Sequence, residues 1–184
     1  TAAVTRVNRF FGTTWTAENC RYPVRKTQEN GDDRTRPANI IITCTDNTRS
    51  RLELWRLLKK YREASVNNER AVYYWMDFGN AQTTGQIVIG TVRNKIRQPA
   101  SKEFMPVPGM NVITEEVNYS AIEEKDSGPS CSLAEALERQ DLYINSILAQ
   151  VGCDILWRMF KEGRTLYRGA YINLDTLRVN PIPV

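Results

Sequence analysis

The chain has 184 residues, of which 41% are hydrophobic, and it contains no apolar run of about eighteen residues, so the composition favours a globular domain and excludes a membrane span. Its net charge of +4 comes from 25 basic and 21 acidic residues that are interspersed along the sequence, which does not indicate nucleic-acid binding. The absence of histidine excludes histidine-based triads, histidine metal ligands and imidazole proton shuttles.

The cysteines are spread along the sequence and form no C-x-x-C pair, so we expect no structural zinc. The opening segment, TAAVTRVNRFFG, lacks the pattern of a secretory signal peptide. We therefore expect a cytoplasmic protein with reduced thiols. The four positions are Cys20, Cys44, Cys131 and Cys153.

The first predicted element is a helix over residues 2–11, because apolar residues recur there at helical spacing and the pattern stops at Gly12. The polar run 26–37, KTQENGDDRTRP, is typical of a solvated loop. Residues 38–44, ANIIITC, then predict a short strand that is buried on both faces, as in a parallel sheet. The apolar residues of the first helix are Val4, Val7, Phe10 and Phe11.

After this strand and a polar turn, Leu54, Leu57, Leu58 and Tyr61 predict an amphipathic helix. A second apolar run at 71–76 is predicted to end at a turn over 77–80, and a third strand is predicted over 86–92. The order of strand, helix and strand indicates a right-handed βαβ crossover.

Residues 93–130 lose all periodicity and are predicted to form a long crossover loop. A capping box at 132–135, SLAE, is predicted to open a long helix that ends at Gly163. Two alternating segments, 167–174 and 177–182, predict an antiparallel hairpin at the sheet edge. The whole chain, residues 1–184, is predicted to be one α/β domain.

The segment from Cys44 to Arg51, CTDNTRSR, contains the residues that are most informative about function. It joins the end of a predicted buried strand to the next helix, which is where open α/β sheets bind ligands. Asp46 could hold Mg²⁺ against a triphosphate, and Arg51 could offset phosphate charge. The alternatives are that Asp46 or Asn47 only caps the helix and that Arg51 is an exposed helix arginine.

These residues resemble the ThiF/MoeB/HesA family of ubiquitin-activating-enzyme-like adenylyltransferases. The resemblance rests on a buried strand followed by T-D-N, an arginine five positions after the Asp, and a second strand leading to G-Q. Three blocks are more narrowly similar to the ThiF-like proteins of the PRTRC plasmid-borne gene system: YYWMDFGNAQTTGQIVIGTV, PSCSLAEALERQDLYIN and YRGAYINLDTLRVNPIPV. The resemblance covers nearly all of the chain.

The resemblance implies a Rossmann-like ThiF-type fold, of which this chain is the C-terminal part: a mixed sheet with flanking helices and a terminal antiparallel hairpin. It implies ATP and Mg²⁺ as cofactors and assigns Mg²⁺ coordination to Asp46. It also puts Asn47 at the nucleotide and Arg51 near the phosphates.

Other candidates have ordinary structural explanations beside the functional one. Asp77, Asn80 and Gln86 fall in the block that resembles the substrate-tail side of the family's site, but such residues are also common in turns. Cys131 precedes a predicted helix N-terminus, which favours a thiolate, and in the superfamily a cysteine of the crossover loop can form a thioester or persulfide. The alternative is that it is a small packing residue, as free cysteines often are.

Four further residues are predicted to have no catalytic role. Cys44 and Cys153 are expected in the core. Gln140 and Asn145, which lie near the apolar stripe of the long helix, are expected to make polar packing or partner contacts.

The sequence departs from the family pattern at its front. The Gly-x-Gly-x-x-Gly loop that should cradle the nucleotide is absent, and so is the acidic residue that should follow it by about 20 positions. The family's phosphate-contacting basic residues would also precede Thr1. We therefore expect a truncated chain or an incomplete gene that adenylylates poorly or not at all, with one sheet edge unpaired.

Two functions follow as expectations. The first is ATP-dependent adenylylation, by the intact protein, of the C-terminal carboxylate of a ubiquitin-like or sulfur-carrier protein. The second is a catalytically degenerate ThiF-like scaffold of a plasmid-borne gene system. A homodimer is the family's usual assembly, and no nucleic acid or membrane partner is expected.

Overall fold

The computed structural model describes residues 2–19, 38–45, 47–63, 71–93, 96, 98–121 and 141–184. The chain divides into two compact units, Thr1–Arg36 and Pro37–Val184. The second unit is an α/β structure in which helices flank a five-stranded mixed sheet. None of the helices in the described ranges has the length and apolar character that crossing a membrane requires.

In the first unit, helix α1 spans Ala2–Phe11, as its apolar spacing predicts, and ends at Gly12, whose φ is 65°. Asn8 fixes the chain beyond the helix, because its Oδ1 accepts a hydrogen bond from the Trp15 N–H at 2.9 Å and its Nδ2 donates to the Trp15 carbonyl at 2.7 Å. The helix buries none of its residues. The apolar residues from which α1 was predicted are therefore not buried in a core.

The sheet of the second unit has the strand order β1-β2-β3-β4-β5. Strands β1 and β2 are parallel and are joined through helix α2, which spans Thr48–Glu63, so the predicted strand–helix–strand unit is confirmed. The remaining neighbours are antiparallel, which confirms the predicted hairpin at the end of the chain. The strands are β1 (Ile40–Thr43), β2 (Tyr74–Asn80), β3 (Thr84–Thr91), β4 (Tyr167–Asn173) and β5 (Arg178–Pro183).

Strand β1 is less buried than its sequence predicts. Ile42 is 51% exposed and Cys44, directly after the strand, is exposed, so the predictions of burial on both faces and of a core cysteine are wrong. Among the described strands β1 pairs with β2 alone. A strand at a sheet edge has fewer neighbours to cover its side chains, and an apolar sequence does not reveal this position.

Strand β2 continues through the residues that were predicted to form a turn. Asp77, Phe78, Gly79 and Asn80 all pair with β3, from Asp77↔Val88 to Asn80↔Gly85. The turn follows at 81–83, where the Ala81 N–H donates to the Thr84 carbonyl at 2.8 Å. Asp, Gly and Asn favour turns locally, but here the Asp charge has a buried partner within the fold.

The side chains of the sheet alternate between two faces, which we name by the helix that packs on each. The α2 face buries Trp75 of β2 and Val88 of β3 against Leu54 and Leu58 of α2. The α4 face buries the intervening residues against helix α4, which spans Ile144–Glu162. The main buried residues of the α4 face are Met76, Ile87, Ile89, Ile172 and, from α4 itself, Ile144, Leu148 and Ile155.

Part of the predicted crossover loop has structure and packs on the α2 face. Helix α3 spans Ile113–Glu116, and a 3₁₀ turn follows at Tyr119–Ala121. Val112 and Tyr119 belong to the core of this face. The prediction of an irregular loop is therefore wrong for residues 112–121, where single apolar residues are buried without a repeating pattern. Residues 122–130 lie outside the described ranges.

The predicted end of the long helix is confirmed by α4, but its predicted beginning at the capping box is not. It ends at Gly163, whose φ of 67° is left-handed. It begins at Ile144, after a turn in which the Tyr143 N–H donates to Asp141 Oδ1 at 2.8 Å. The Asp141 N–H also donates to the Gln82 carbonyl at 2.8 Å, which ties this turn to the β2–β3 loop. The capping box at 132–135 lies outside the described residues.

Candidate functional site

The candidate site lies where β1 ends and α2 begins. Asn47 caps α2, because its Oδ1 accepts a hydrogen bond from the Ser50 N–H at 2.8 Å. The capping alternative is thereby confirmed for Asn47. Asp46 lies outside the described residues, so its predicted role as the Mg²⁺ ligand stays a prediction.

Arg51 lies in the first turns of α2 and points into the protein. Its residue is only 6% exposed, so the alternative of an exposed helix arginine is wrong. Its Nε donates to Asp77 Oδ2 at 2.9 Å. Its Nη2 donates to the carbonyls of Thr45 and Phe78, the second at 3.0 Å, and its Nη1 donates to the Asn47 carbonyl at 3.4 Å. These bonds use four of the five N–H donors of a guanidinium.

Asp77 is the partner that sequence reasoning placed in a turn. It is fully buried in the middle of the sheet, and its Oδ1 accepts a hydrogen bond from Thr43 Oγ1 at 2.7 Å. The Thr43 hydroxyl in turn accepts from Trp75 Nε1 at 2.8 Å. A chain of polar contacts therefore runs from Trp75 through Thr43 and Asp77 to Arg51. The available sequence signal was an acidic residue that directly follows an apolar run, which alone does not distinguish a buried ion pair from a loop.

Burial controls the electrostatics of this pair. Burial raises the pKa of the Asp77 carboxyl above its ordinary value, and the charge of Arg51 and the hydrogen bonds from Thr43 and Arg51 offset part of that rise. Although the Cys44 residue is exposed as a whole, its thiol is partly shielded from solvent, which raises the pKa of the thiol; the charge of Asp77 raises this pKa further, while Arg51 lowers it. At neutral pH a smaller fraction of Cys44 is therefore in the thiolate form than for an ordinary cysteine.

A row of polar residues continues across the α2 face from Arg51. Tyr119 lies beneath the guanidinium, whose Cζ is 5.7 Å from the centre of the ring. Gln86 Nε2 donates to the Tyr119 hydroxyl at 3.3 Å, and Gln86 pairs across the sheet with Gly79 and Tyr171. Burial raises the pKa of the Tyr119 hydroxyl, and Arg51 lowers it.

Gly79 leaves the space that this arrangement needs. A Cβ built on Gly79 would lie 2.9 Å from Arg51 Nη2 and 2.4 Å from Gln86 Nε2. A larger residue would therefore require the Gln86 amide, and to a smaller extent the Arg51 guanidinium, to shift. Gly79 thus lies in β2 and gives room to these two side chains.

The hydroxyl of Thr45 stands out beside this network. Thr45 Oγ1 is buried and has no hydrogen-bond partner within the described part of the chain. Buried hydroxyls are normally hydrogen-bonded, so an unpaired one next to a loop suggests a ligand contact. It is an oxygen donor of the kind that Mg²⁺ prefers, and it immediately precedes Asp46 in the sequence.

The other predicted site residues that the structure describes lie away from the Arg51–Asp77 pair. Asn80 lies at the β2–β3 turn, where its Nδ2 donates to the Ala81 carbonyl at 3.3 Å. Asn145 is exposed on α4. Cys153 is also exposed on α4, so its predicted place in the core is wrong, since the stripe of that helix passes beside it. Cys131 and Gln140 lie outside the described residues.

A cavity of about 660 Å³ lies away from this site, at the beginnings of β1 and β2. It is bounded by Ile40 and Tyr74, by residues 98–110 and by the C-terminal end of α4. Its lining is mostly apolar, and Arg164 at its rim stacks over the Phe104 ring, with Cζ 3.9 Å from the ring centre. Among the predicted site residues that the structure describes, none lines it.

No protein-family model matches this chain, and a search of curated proteins finds no significant match either. In the portion of the chain that the structure describes, no cluster of three or more His, Cys, Asp or Glu residues could hold a metal ion. The resemblance to the ThiF/MoeB/HesA family therefore rests on the motifs of the sequence.

Proposed function

We propose that this chain belongs to an enzyme, related to the ThiF/MoeB/HesA family, that adenylylates the C-terminal carboxylate of a ubiquitin-like or sulfur-carrier protein in the cytoplasm. In this proposal the mixed sheet is the C-terminal part of a Rossmann-like ThiF-type fold. Asp46, with Asn47 beside it, forms the part of the site that takes Mg²⁺ and ATP.

The observation that carries the proposal is the environment of residue 46. The carbonyls of the residues on either side, Thr45 and Asn47, both accept hydrogen bonds from the buried Arg51. The hydroxyl of Thr45 is buried without a partner among the described residues. A ligand loop at the end of a strand needs such a fixed backbone and a free oxygen donor.

The donor chemistry fits magnesium. Mg²⁺ takes oxygen ligands and is commonly held by one or two carboxylates, with phosphates and water completing its octahedron. One carboxylate from Asp46 and the hydroxyl of Thr45 are donors of this type. When bound, the ion would neutralise phosphate charge, which this chemistry needs more than it needs an acid or a base.

The reaction itself requires no side chain as a general acid or base. A carboxylate oxygen of the carrier attacks the α-phosphorus of ATP, the bond to the bridging oxygen breaks, and pyrophosphate leaves with its electron pair. The acyl-adenylate can then be attacked by a thiol such as that of Cys131, which loses its proton as AMP leaves and a thioester forms. No histidine is required at either step, consistent with the composition.

A second candidate is a scaffold that keeps the carrier-binding surface without catalysis. It is favoured by the bonding of Arg51, which already donates to Asp77 and to three backbone carbonyls and so has little capacity left for phosphate oxygens. In this alternative the Arg51 network is retained because it stabilises the fold.

The two candidates are distinguished by exchange of labelled pyrophosphate into ATP by the full-length protein, tested with a panel of ubiquitin-like carriers. We expect exchange that depends on a carrier and falls at least 100-fold in Asp46→Ala, since removal of a metal-dependent contact acts on the transition state. Exchange that Asp46→Ala leaves unchanged would show that the metal ligand is misassigned. Carrier binding without any exchange would support the scaffold.

A further inference from the structure

Arg51 joins three separate parts of the fold. It belongs to α2, it donates to the carbonyls of Thr45 and Asn47 in the preceding loop, and it donates to Asp77 and to the Phe78 carbonyl in β2. The loop residues precede Arg51 by six and four positions, whereas Asp77 follows it by 26. One side chain therefore fixes the loop to strand β2 of the sheet.

Only arginine has the geometry for this contact. A guanidinium is planar and presents its donors in a fixed fork, so one group can bind a carboxylate and carbonyls in different directions. A lysine ammonium has the same charge but a single nitrogen at the end of a flexible chain. Asp77 is fully buried, and it holds the fork in place with the support of the Thr43 hydroxyl.

We infer that Arg51 and Asp77 are positioning residues, which hold the backbone at Thr45 and Asn47, on either side of residue 46, in place for metal binding, and that Arg51 does not contact the nucleotide. The inference rests on the proposed function for the identity of the bound ion. The holding of the loop itself is a property of the described contacts. Partners that orient metal ligands typically change metal affinity by about 10- to 100-fold when they are substituted.

The first experiment measures the loop without any ligand. Hydrogen exchange of backbone amides is followed in the wild type, in Arg51→Lys and in the control Arg49→Lys, which makes the same change at an exposed position of the same helix. We expect exchange of the Ser50 amide, which Asn47 Oδ1 protects, to accelerate at least tenfold in Arg51→Lys and to stay unchanged in Arg49→Lys. Equal protection in all three proteins would overturn the inference.

The second experiment measures the metal alone. Mn²⁺ is titrated as a probe for Mg²⁺ by electron paramagnetic resonance, without nucleotide, on the wild type and on Asp46→Ala, Arg51→Lys and Asp77→Asn. We expect Asp46→Ala to abolish binding and the other two to raise the Mn²⁺ Kd by about 10- to 100-fold. If Asp46→Ala binds Mn²⁺ like the wild type, the proposed function is wrong in its metal site. If only Asp46→Ala weakens binding, the metal site stands and the positioning inference fails.

A third measurement separates positioning from contact with phosphate. ATP is titrated onto the wild type and onto Arg51→Lys at saturating Mn²⁺, because an arginine that binds phosphate through the two prongs of its guanidinium is not replaced by the single ammonium of lysine. We expect Arg51→Lys to regain wild-type ATP affinity once Mn²⁺ is saturating. A loss of ATP affinity that persists at saturating Mn²⁺ would show direct contact and overturn the inference.

Destabilisation of the fold is controlled by removing both charges together. Arg51→Met combined with Asp77→Ala leaves no unpaired buried charge, so the double variant is expected to fold even if Asp77→Asn does not. We expect its Mn²⁺ affinity to be reduced to the level of Arg51→Lys while its cooperative unfolding is retained. Wild-type Mn²⁺ affinity in a folded double variant would contradict the inference.

Discussion

The two faces of the sheet hold their helices in different ways. The α2 face contains the buried pair of Arg51 and Asp77 together with its apolar residues, whereas the described residues of the α4 face include no buried charge. Apolar packing depends on volume and tolerates small adjustments, but a buried ion pair depends on the direction of each hydrogen bond. The α2 face therefore fixes a geometry beside its loop, while the α4 face mainly stabilises the sheet.

The largest effect is expected from breaking the pair on the α2 face. Asp77→Ala leaves Arg51 as an uncompensated buried charge, and we expect the free energy of unfolding in urea to fall by about 3–5 kcal/mol. The control Asp154→Ala breaks the exposed pair with Arg158 and should leave the free energy of unfolding unchanged. Similar losses in the two variants would show that burial does not distinguish the two pairs.

The α4 face provides the matching test. Leu148→Ala removes a buried residue that packs beside Gly85, and we expect a loss of about 2–5 kcal/mol in the same urea titration. Leu142→Ala, at an exposed position, is the control.

On the α2 face, adding Arg51→Met to Asp77→Ala should recover more than half of the free energy of unfolding that Asp77→Ala loses, since the unpaired charge is gone. A double variant no more stable than Asp77→Ala would contradict this account.

A smaller effect is expected one contact further from the pair. Thr43→Val keeps the shape of the side chain but removes the hydroxyl that donates to Asp77 and accepts from Trp75. We expect a loss of about 1.5–3 kcal/mol, the range for a hydrogen bond to a charged group. Fluorescence of the tryptophans during unfolding measures it, and a stability equal to that of the wild type would show that Asp77 needs no support from Thr43.

The smallest effect concerns Cys44, whose pKa the same pair influences. The pKa of this thiol is raised above its ordinary value, so the thiolate is scarce at neutral pH and grows about tenfold with each pH unit below the pKa. We expect the rate of alkylation by iodoacetamide, followed by peptide mass spectrometry, to keep rising at pH values where the rate for free cysteine has reached its plateau. A plateau at a lower pH than that of free cysteine, as in a thiol with a lowered pKa, would contradict the assigned electrostatics.

The cavity near Tyr74 lies where no sequence motif predicted a binding site. Open α/β sheets bind ligands at the carboxyl ends of their strands, and the sequence motif at 44–51 follows that rule. The cavity is at the opposite ends of β1 and β2, where residues 98–110 and α4 meet. No local pattern marked it, because its walls come from segments that are far apart in the chain.

Local patterns in the sequence determined most of the elements. Periodic apolar residues predicted α1, α2, the strands and the stripe of α4, and two glycines marked helix ends correctly at Gly12 and Gly163. The chain order of strand and helix was enough to predict the parallel pair of β1 and β2. Alternation predicted the terminal hairpin. These features succeed because they depend on neighbours within a few residues.

Tertiary structure decided whether each of these polar residues lies in a turn or a strand, and whether its side chain is exposed or buried, because the local sequence suits both. Asp77 and Gly79 suit a turn by their own preferences, yet they lie in β2 because Arg51, 26 residues away from Asp77, neutralises the buried carboxylate. Arg51 looked the same in sequence as an exposed helix arginine. Burial of a charge depends on whether a partner arrives from elsewhere in the chain, and that is a property of the fold rather than of any local pattern.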